Sequence, residues 1–326
     1  MAAISGESIE SLNWSVKGQN RRINLYPLTI ERALYILNNM AKTKMVTAAA
    51  LKAYRAETFR LKQGLQLRSP DDAVCYVDER GFVYFWPIKG VDLPSLWTAV
   101  AGARPVADQH DDPGHVTWGW KDGLLGARRW YYGKLLRGKA TMVSLDKLPF
   151  FYALSENYGD PDDYLMEYEA GRLTVEAKQV FETLAAKGAL DSLALRREAR
   201  LLGKESNTRF DRALVDLQRG LRILPIGVAK AGAWKYAFIY ELVDRWLPDV
   251  VTQARNIGRT EARAHLVDLF LQSVGAAPEA SIGKLFGWPA ADVSKAVGRL
   301  AEQRLASKLD GLGGVAGEQW VTAELL

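Results

Sequence analysis

Two adjacent carboxylates beside two histidines are the first side chains in this sequence that could do chemistry. The stretch 108–122, DQHDDPGHVTWGWKD, holds His110 and His115 together with Asp108, Asp111 and Asp112. Metal binding is one chemistry such a cluster suggests. Its spacing matches no established zinc or calcium signature, however, and a polar loop built on Pro113 and Gly114 forms without a metal. No metal and no cofactor is expected, and Asp111 and Asp112 read better as carboxylates able to activate water.

A second group lies in 81–91, GFVYFWPIKGV, where Phe82, Tyr84, Phe85 and Trp86 crowd into five positions. Such rings favour interiors, so one reading is a buried connector packed against helices. The other is a wall on which an exposed base stacks, with Trp86 as the stacking ring and Lys89 as the phosphate contact. A third group fills 120–139, read as one helix carrying Lys121, Arg128, Arg129, Trp130, Tyr131, Tyr132, Lys134, Arg137 and Lys139, with Asp122 its only acid. Its basic groups either neutralise phosphates while the rings stack, or form the solvated face of an amphipathic helix.

The elements that must position these residues are those of a soluble folded chain. With 326 residues, 48% hydrophobic and 25% charged, there is material for two or three domains. The net charge of +5 favours an anionic partner without specifying one. Cys75 is the only cysteine, which excludes an intrachain disulfide and a multi-cysteine zinc site. No apolar run approaches a membrane span, and the first 28 residues lack the apolar core of a signal peptide, so a cytoplasmic protein is expected.

Hydrophobic periodicity and caps place helices over 29–40, 47–65 and 69–77, the last opened by Ser69 and Pro70. From residue 174 the pattern is clearer. Helices are expected over 174–186, 190–201 and 206–219, then strands over 222–229 and 234–240 around a Gly-containing tip, Lys230-Ala-Gly-Ala. Arg209 and Arg212 lie outward on the third of these helices, and Lys230 and Lys235 flank the tip, where a winged helix meets DNA. A cruder copy follows, with helices over 259–274, 281–286 and about 289–303, and strands over 306–309 and 318–322. The fold class is mainly α with short β-hairpins, built of tandem winged-helix modules. The expected divisions are an N-terminal extension (1–28), a first winged-helix-like region (29–158), a second winged helix (159–247) and a third (248–326).

The order of modules, the segment ERGFVYFWPIKGVDLPSLW and the stretch GKESNTRFDRALVDLQRGLRILPIG resemble the winged-helix DNA glycosylases of the AlkZ and YcaQ type over about residues 45–305. That resemblance implies tandem winged helices on double-stranded DNA that cleave the N-glycosidic bond of alkylated or crosslinked purines. Such enzymes use a Gln-x-Gln or Gln-x-Asp motif after a glycine-aromatic-valine segment. Aligned on Gly81, Phe82 and Val83, the motif positions here fall on Tyr84 and Trp86. Tyr84 hydrogen-bonds but is a poor base near neutral pH, so Asp111, Asp112 or Asp92 would have to supply the carboxylate. A glycosylase, a non-catalytic DNA-binding protein and a protein-interaction scaffold all remain consistent with the residues.

Overall fold

The computed structural model describes residues 46–312 and 317–326. The extension 1–28 and the helix expected over 29–40 lie outside the described residues. Helix α1 (Ala48–Thr58) starts where the Thr47 hydroxyl accepts the Ala50 N–H at 3.1 Å. It stops at Thr58 instead of continuing to Leu65, because the Leu61 and Lys62 amides both turn back to the Ala56 carbonyl around Arg60 at φ 59°.

One arrangement of elements then recurs three times. In the first unit, α2 (Pro70–Arg80) leads to β1 (Phe82–Tyr84), α3 (Leu96–Ala101), a 3-10 turn (Pro113–His115), α4 (Val116–Leu125), β2 (Tyr131–Gly133) and β3 (Thr141–Val143). Helices α5 (Leu148–Tyr152) and α6 (Asp163–Glu169) lead to the second unit. That unit comprises α7 (Val175–Lys187), β4 (Leu190–Asp191), α8 (Ser192–Glu198), α9 (Asn207–Arg219), β5 (Ile223–Ala229) and β6 (Ala237–Leu242). After α10 (Val243–Trp246) and α11 (Pro248–Ala254), the third unit repeats the order. It consists of α12 (Arg259–Val274), β7 (Ala276–Ala277), α13 (Glu279–Phe286), α14 (Ala290–Glu302), β8 (Ala306–Asp310) and β9 (Glu318–Thr322). In each unit the strands form an antiparallel sheet with the last strand in the middle: β1-β3-β2, β4-β6-β5 and β7-β9-β8.

The repeat extends to single backbone positions. The junction between the first helix and first strand of each unit is a glycine in the left-handed region: Gly81 at φ 77°, Gly188 at 80° and Gly275 at 79°. A second left-handed residue follows each third helix, and there it is not glycine: Arg128, Leu221 and Arg304 at φ 50°, 53° and 59°. The third helices of units two and three bury matching stripes, Phe210, Ala213, Leu214 and Leu217 in α9 and Val293, Ala296, Val297 and Leu300 in α14. Both follow the i, i+3, i+4, i+7 spacing that lays one helix face on a core.

Local caps account for where the elements begin. Ser69 and Asp72 form a reciprocal capping box on α2, with Pro70 in its first turn. Thr174 accepts the Ala177 amide at the start of α7, and Asp191 accepts those of Leu193 and Ala194 at the start of α8. Because Leu190 and Asp191 pair with β6, the helix expected from residue 190 begins only at Ser192 and ends at Glu198. The single helix expected over 120–139 is also corrected. The helix spans Val116–Leu125, and Tyr131 and Tyr132 instead pair with Val143 and Met142 as strand. Aromatic residues favour a pleated, half-buried surface, and the turn at Arg128 ends the helical path before them.

One hydrophobic cluster joins the units. It includes Phe82 and Tyr131 from the first, Leu221 and Leu224 from the second, and Phe270, Val274 and Val297 from the third. Each such side chain, fully removed from water, contributes about 1.5–3 kcal/mol. A separate cluster fills the first unit, and Val228 and Phe238 of the β5–β6 hairpin pack against it. That contact lays the second unit's hairpin across α4. Among the described residues no helix is long and apolar enough to cross a membrane.

Candidate active site

Helix α4 presents Trp118, Lys121 and Asp122 on one face, since residues three and four apart along a helix are neighbours. The hairpin brings Tyr236, the residue just before β6, and Phe238 within β6 to the same place. Between them the Lys121 side chain is 1% exposed. Its ammonium lies over five rings, at 4.6 Å from Phe238, 5.0 Å from Trp118, 5.1 Å from Tyr132, and 5.7 Å from both Phe85 and Tyr236. A cation over aromatic faces is attracted by their quadrupoles, most strongly where water is excluded.

The ammonium is also anchored by hydrogen bonds. Lys121 Nζ donates to Asp122 Oδ1 at 2.5 Å and to the Tyr236 hydroxyl at 3.0 Å, and that hydroxyl donates to the same Asp122 Oδ1 at 3.0 Å. Burial pulls the Lys121 ammonium below its ordinary range, and the bond to Asp122 opposes that shift. Burial, reinforced by the neighbouring carboxylate, pushes the Tyr236 hydroxyl well up, so it stays a neutral donor. Both donors land on Oδ1, leaving Asp122 Oδ2 without a hydrogen-bond partner among the described residues. Asp122 is 25% exposed and Trp118 38% exposed, so the carboxylate and one ring reach solvent at the rim of the box. Trp86, half-buried, lies 5.5 Å from Trp118 between ring centroids.

The residues singled out by sequence fall in several places. Tyr84 is in the core, 0% exposed, with burial pushing its hydroxyl up to about 12. Asp112 caps the 3-10 turn through the Gly114 amide at 2.7 Å and accepts two bonds from Arg104 at 2.5 and 2.9 Å. The Arg104 guanidinium holds its carboxyl below the usual carboxylate range. Asp111 stays exposed on the same loop, where His115 Nε2 meets the Ala107 carbonyl at 2.9 Å. None of Tyr84, Asp111 and Asp112 hydrogen-bonds with Lys121, Asp122 or Tyr236. Among the described residues no three His, Cys, Asp or Glu side chains gather as a metal site.

The basic residues divide in the same way. Arg128 lies 4.1 Å over the Trp246 ring, Arg129 is 3.9 Å from Asp71, and Arg209 is paired with Glu176 at 3.0 Å. Lys134 is half-buried and its ammonium is lowered by desolvation. Lys89, Arg137, Arg212, Lys230 and Lys235 are exposed and form no ion pair among the described residues. Arg137 joins Lys52, Arg55 and Lys284 around a cleft of 880 Å³ between α1 and α13, whose one carboxylate, Asp92, pairs with Arg55 at 3.1 Å.

Sequence reasoning missed the Lys121–Asp122–Tyr236 constellation. The signal for half of it was present in the spacing of Trp118, Lys121 and Asp122, which placing the helix start at Trp120 concealed.

Residues 67–287 match the sequence profile of the AlkZ-related family. No curated protein sequence matches the chain. Among solved structures, the DNA glycosylase AlkZ of Streptomyces sahachiroi is similar with a TM-score of 0.52, covering 86% of this chain and 71% of that one at 15% identity. Identity that low speaks for a shared fold alone.

Proposed function

The chain belongs to the AlkZ-related family, and from that premise we propose that it is a DNA-repair protein that removes an alkylated or crosslinked purine from double-stranded DNA by hydrolysing its N-glycosidic bond. The three recurring units are then winged helices, within 29–158, 159–247 and 248–326, and the β5–β6 hairpin is a wing. One observation carries the chemical reading. Asp122 is a carboxylate held by an ammonium and a phenol, with its second oxygen unpaired, Trp118 one helical turn away and Trp86 packed against Trp118.

The chemistry follows from that arrangement. A purine made cationic by alkylation leaves C1′ with the electron pair of the glycosidic bond, so the departing base needs no added proton. Positive charge develops on the sugar, where a fixed carboxylate stabilises it. Water then bonds to C1′ and gives its proton to Asp122 Oδ2. Trp118 and Trp86 offer rings on which the displaced base stacks.

The test is incubation with a duplex carrying N7-methylguanine, followed by alkaline cleavage at abasic sites. Wild type and an Asp111→Asn, Asp112→Asn double variant are expected to give product, and Asp122→Asn to give at least roughly 100-fold less. Product from Asp122→Asn at the wild-type rate overturns the assignment. A second reading, a DNA-binding protein that does not cut, is favoured by the box being filled by the chain's own ammonium. Salt-sensitive duplex binding by the wild type without abasic product would establish it.

A further inference from the structure

Trp234 is 92% exposed, the most solvent-accessible of the large hydrophobic side chains among the described residues. A tryptophan has about 150–250 Å² to bury, so one held almost wholly in water has nearly all of that area free to meet a partner. It sits at the tip of the β5–β6 hairpin between exposed Lys230 and Lys235. The tip is shaped, not loose. Gly232 takes φ 76°, Lys235 takes φ 50°, and the Lys235 amide donates to the Gly232 carbonyl at 3.1 Å. A Cβ at Gly232 would come within 3.2 Å of Leu193 Cδ1, so the tip rests against α8. The indole is therefore presented from a braced turn.

Two residues further on, Tyr236 bonds Asp122 and Lys121. Two peptide links span at most about 7 Å, so the turn that carries the exposed indole is the one that leads Tyr236 into the candidate site. Its neighbours Ala231, Gly232 and Ala233 are small, which makes the tip narrow. One flat ring on a narrow tip, with a cation on each side, fits a base step flanked by two phosphates better than it fits the broad apolar layer of a membrane.

We propose that Trp234 is a wedge that enters the base stack of duplex DNA beside a weakly paired nucleotide and takes the place of the base displaced toward Asp122. Lys230 and Lys235 hold the phosphates on either side of that step. The proposal rests on duplex DNA as the partner, and it is independent of whether the glycosidic bond is cut.

The experiment uses the full chain and duplexes carrying 2-aminopurine next to either a mismatch or a fully paired step. Wild type is expected to raise the 2-aminopurine emission of the mismatched duplex, and to bind it roughly 10-fold more tightly than the paired one. Trp234→Ala is expected to lose the emission change and the preference while binding paired duplex within about twofold of wild type, since phosphate contacts drive that affinity. Trp234→Phe, which keeps a ring, should retain part of both. If Trp234→Ala discriminates as wild type does, the wedge is overturned and duplex binding stands. If wild type binds no duplex at low salt, the DNA reading itself falls, and the wedge with it.

Discussion

The Tyr236 hydroxyl donates to Asp122 Oδ1 at 3.0 Å across 114 residues of sequence. It ties the hairpin of one repeated unit to the helix of another. The same hydroxyl accepts from Lys121 Nζ at 3.0 Å, so one phenol completes a three-membered ring of donors and acceptors. Tyr236→Phe removes that group and keeps the aromatic ring. Stability measured by urea unfolding is expected to fall by only about 1 kcal/mol. Single-turnover excision is expected to slow by roughly tenfold, because a carboxylate held at one point instead of two is less well aimed. An unchanged rate would mean that Asp122 needs no orientation from the hairpin.

Lys121 is 1% exposed, with five rings around its ammonium. Lys121→Ala leaves both a void and an Asp122 held by the Tyr236 hydroxyl alone, and is expected to cost about 2–5 kcal/mol. Lys121→Met refills most of the volume and should cost less. Their pH dependence separates charge from packing. Burial lowers the folded-state value of Lys121 below its ordinary 10.5, so between the two values the unfolded chain binds more protons than the folded one. Stability then rises with pH across that window. Wild type should therefore gain on Lys121→Met as pH climbs toward 10.5, and parallel curves would show that Lys121 is not strained by its burial.

Asp112 gives the same slope at the acid end of the range, but here it is the charged form that the fold favours. The Arg104 guanidinium depresses its folded-state value, so the contribution of the pair is fully present above the unfolded carboxyl range and is lost as pH falls through the folded value. Asp112→Asn is expected to be less stable than wild type at neutral pH, with the two acid-unfolding curves converging at low pH. A constant gap would place the loss outside the ion pair with Arg104, since an amide oxygen can still accept the Gly114 N–H.

Arg222 is 1% exposed and answers two carboxylates of α6, Asp163 at 2.5 Å and Glu167 at 2.8 Å, which are 5% and 18% exposed. Arg222→Leu would leave buried charge uncompensated, and is expected to cost about 3–5 kcal/mol. Combining it with Asp163→Asn and Glu167→Gln should recover much of that loss in thermal unfolding. No recovery would indicate that the guanidinium acts mainly through its packing over Phe181, whose ring lies 5.7 Å away.

These features differ in how plainly the residues announce them. Thr47, Ser69 and Thr174 cap helices as their types and spacing suggest, and the stripes of α9 and α14 are readable because four apolar residues at helical spacing leave few alternatives. The first unit is less plain, because β2 is three residues long and its alternation is too short to override the helical look of 120–139. Trp118, Lys121 and Asp122 are a local pattern, open to reading. Tyr236 and Phe238 reach them only through the fold, and no local spacing encodes a contact between units.

The same distinction separates the cations that remain available from those already used. Arg209 was expected on a DNA-facing helix, but its guanidinium is paired with Glu176 at 3.0 Å. A cation neutralised inside the protein must give up that partner before it displaces a counterion from DNA, so its net contribution to binding is small. Lys230 and Lys235 are exposed and form no ion pair among the described residues. Each phosphate neutralised contributes roughly 0.9 to the slope of log affinity against log salt. Duplex binding measured across a salt series should therefore lose about two from that slope in the Lys230→Ala, Lys235→Ala double variant. Arg209→Ala should lose much less than one, and Glu176→Gln, which frees Arg209, should steepen the slope. If Arg209→Ala flattens it as much as the double lysine variant does, then α9 carries the phosphate contact and the hairpin does not.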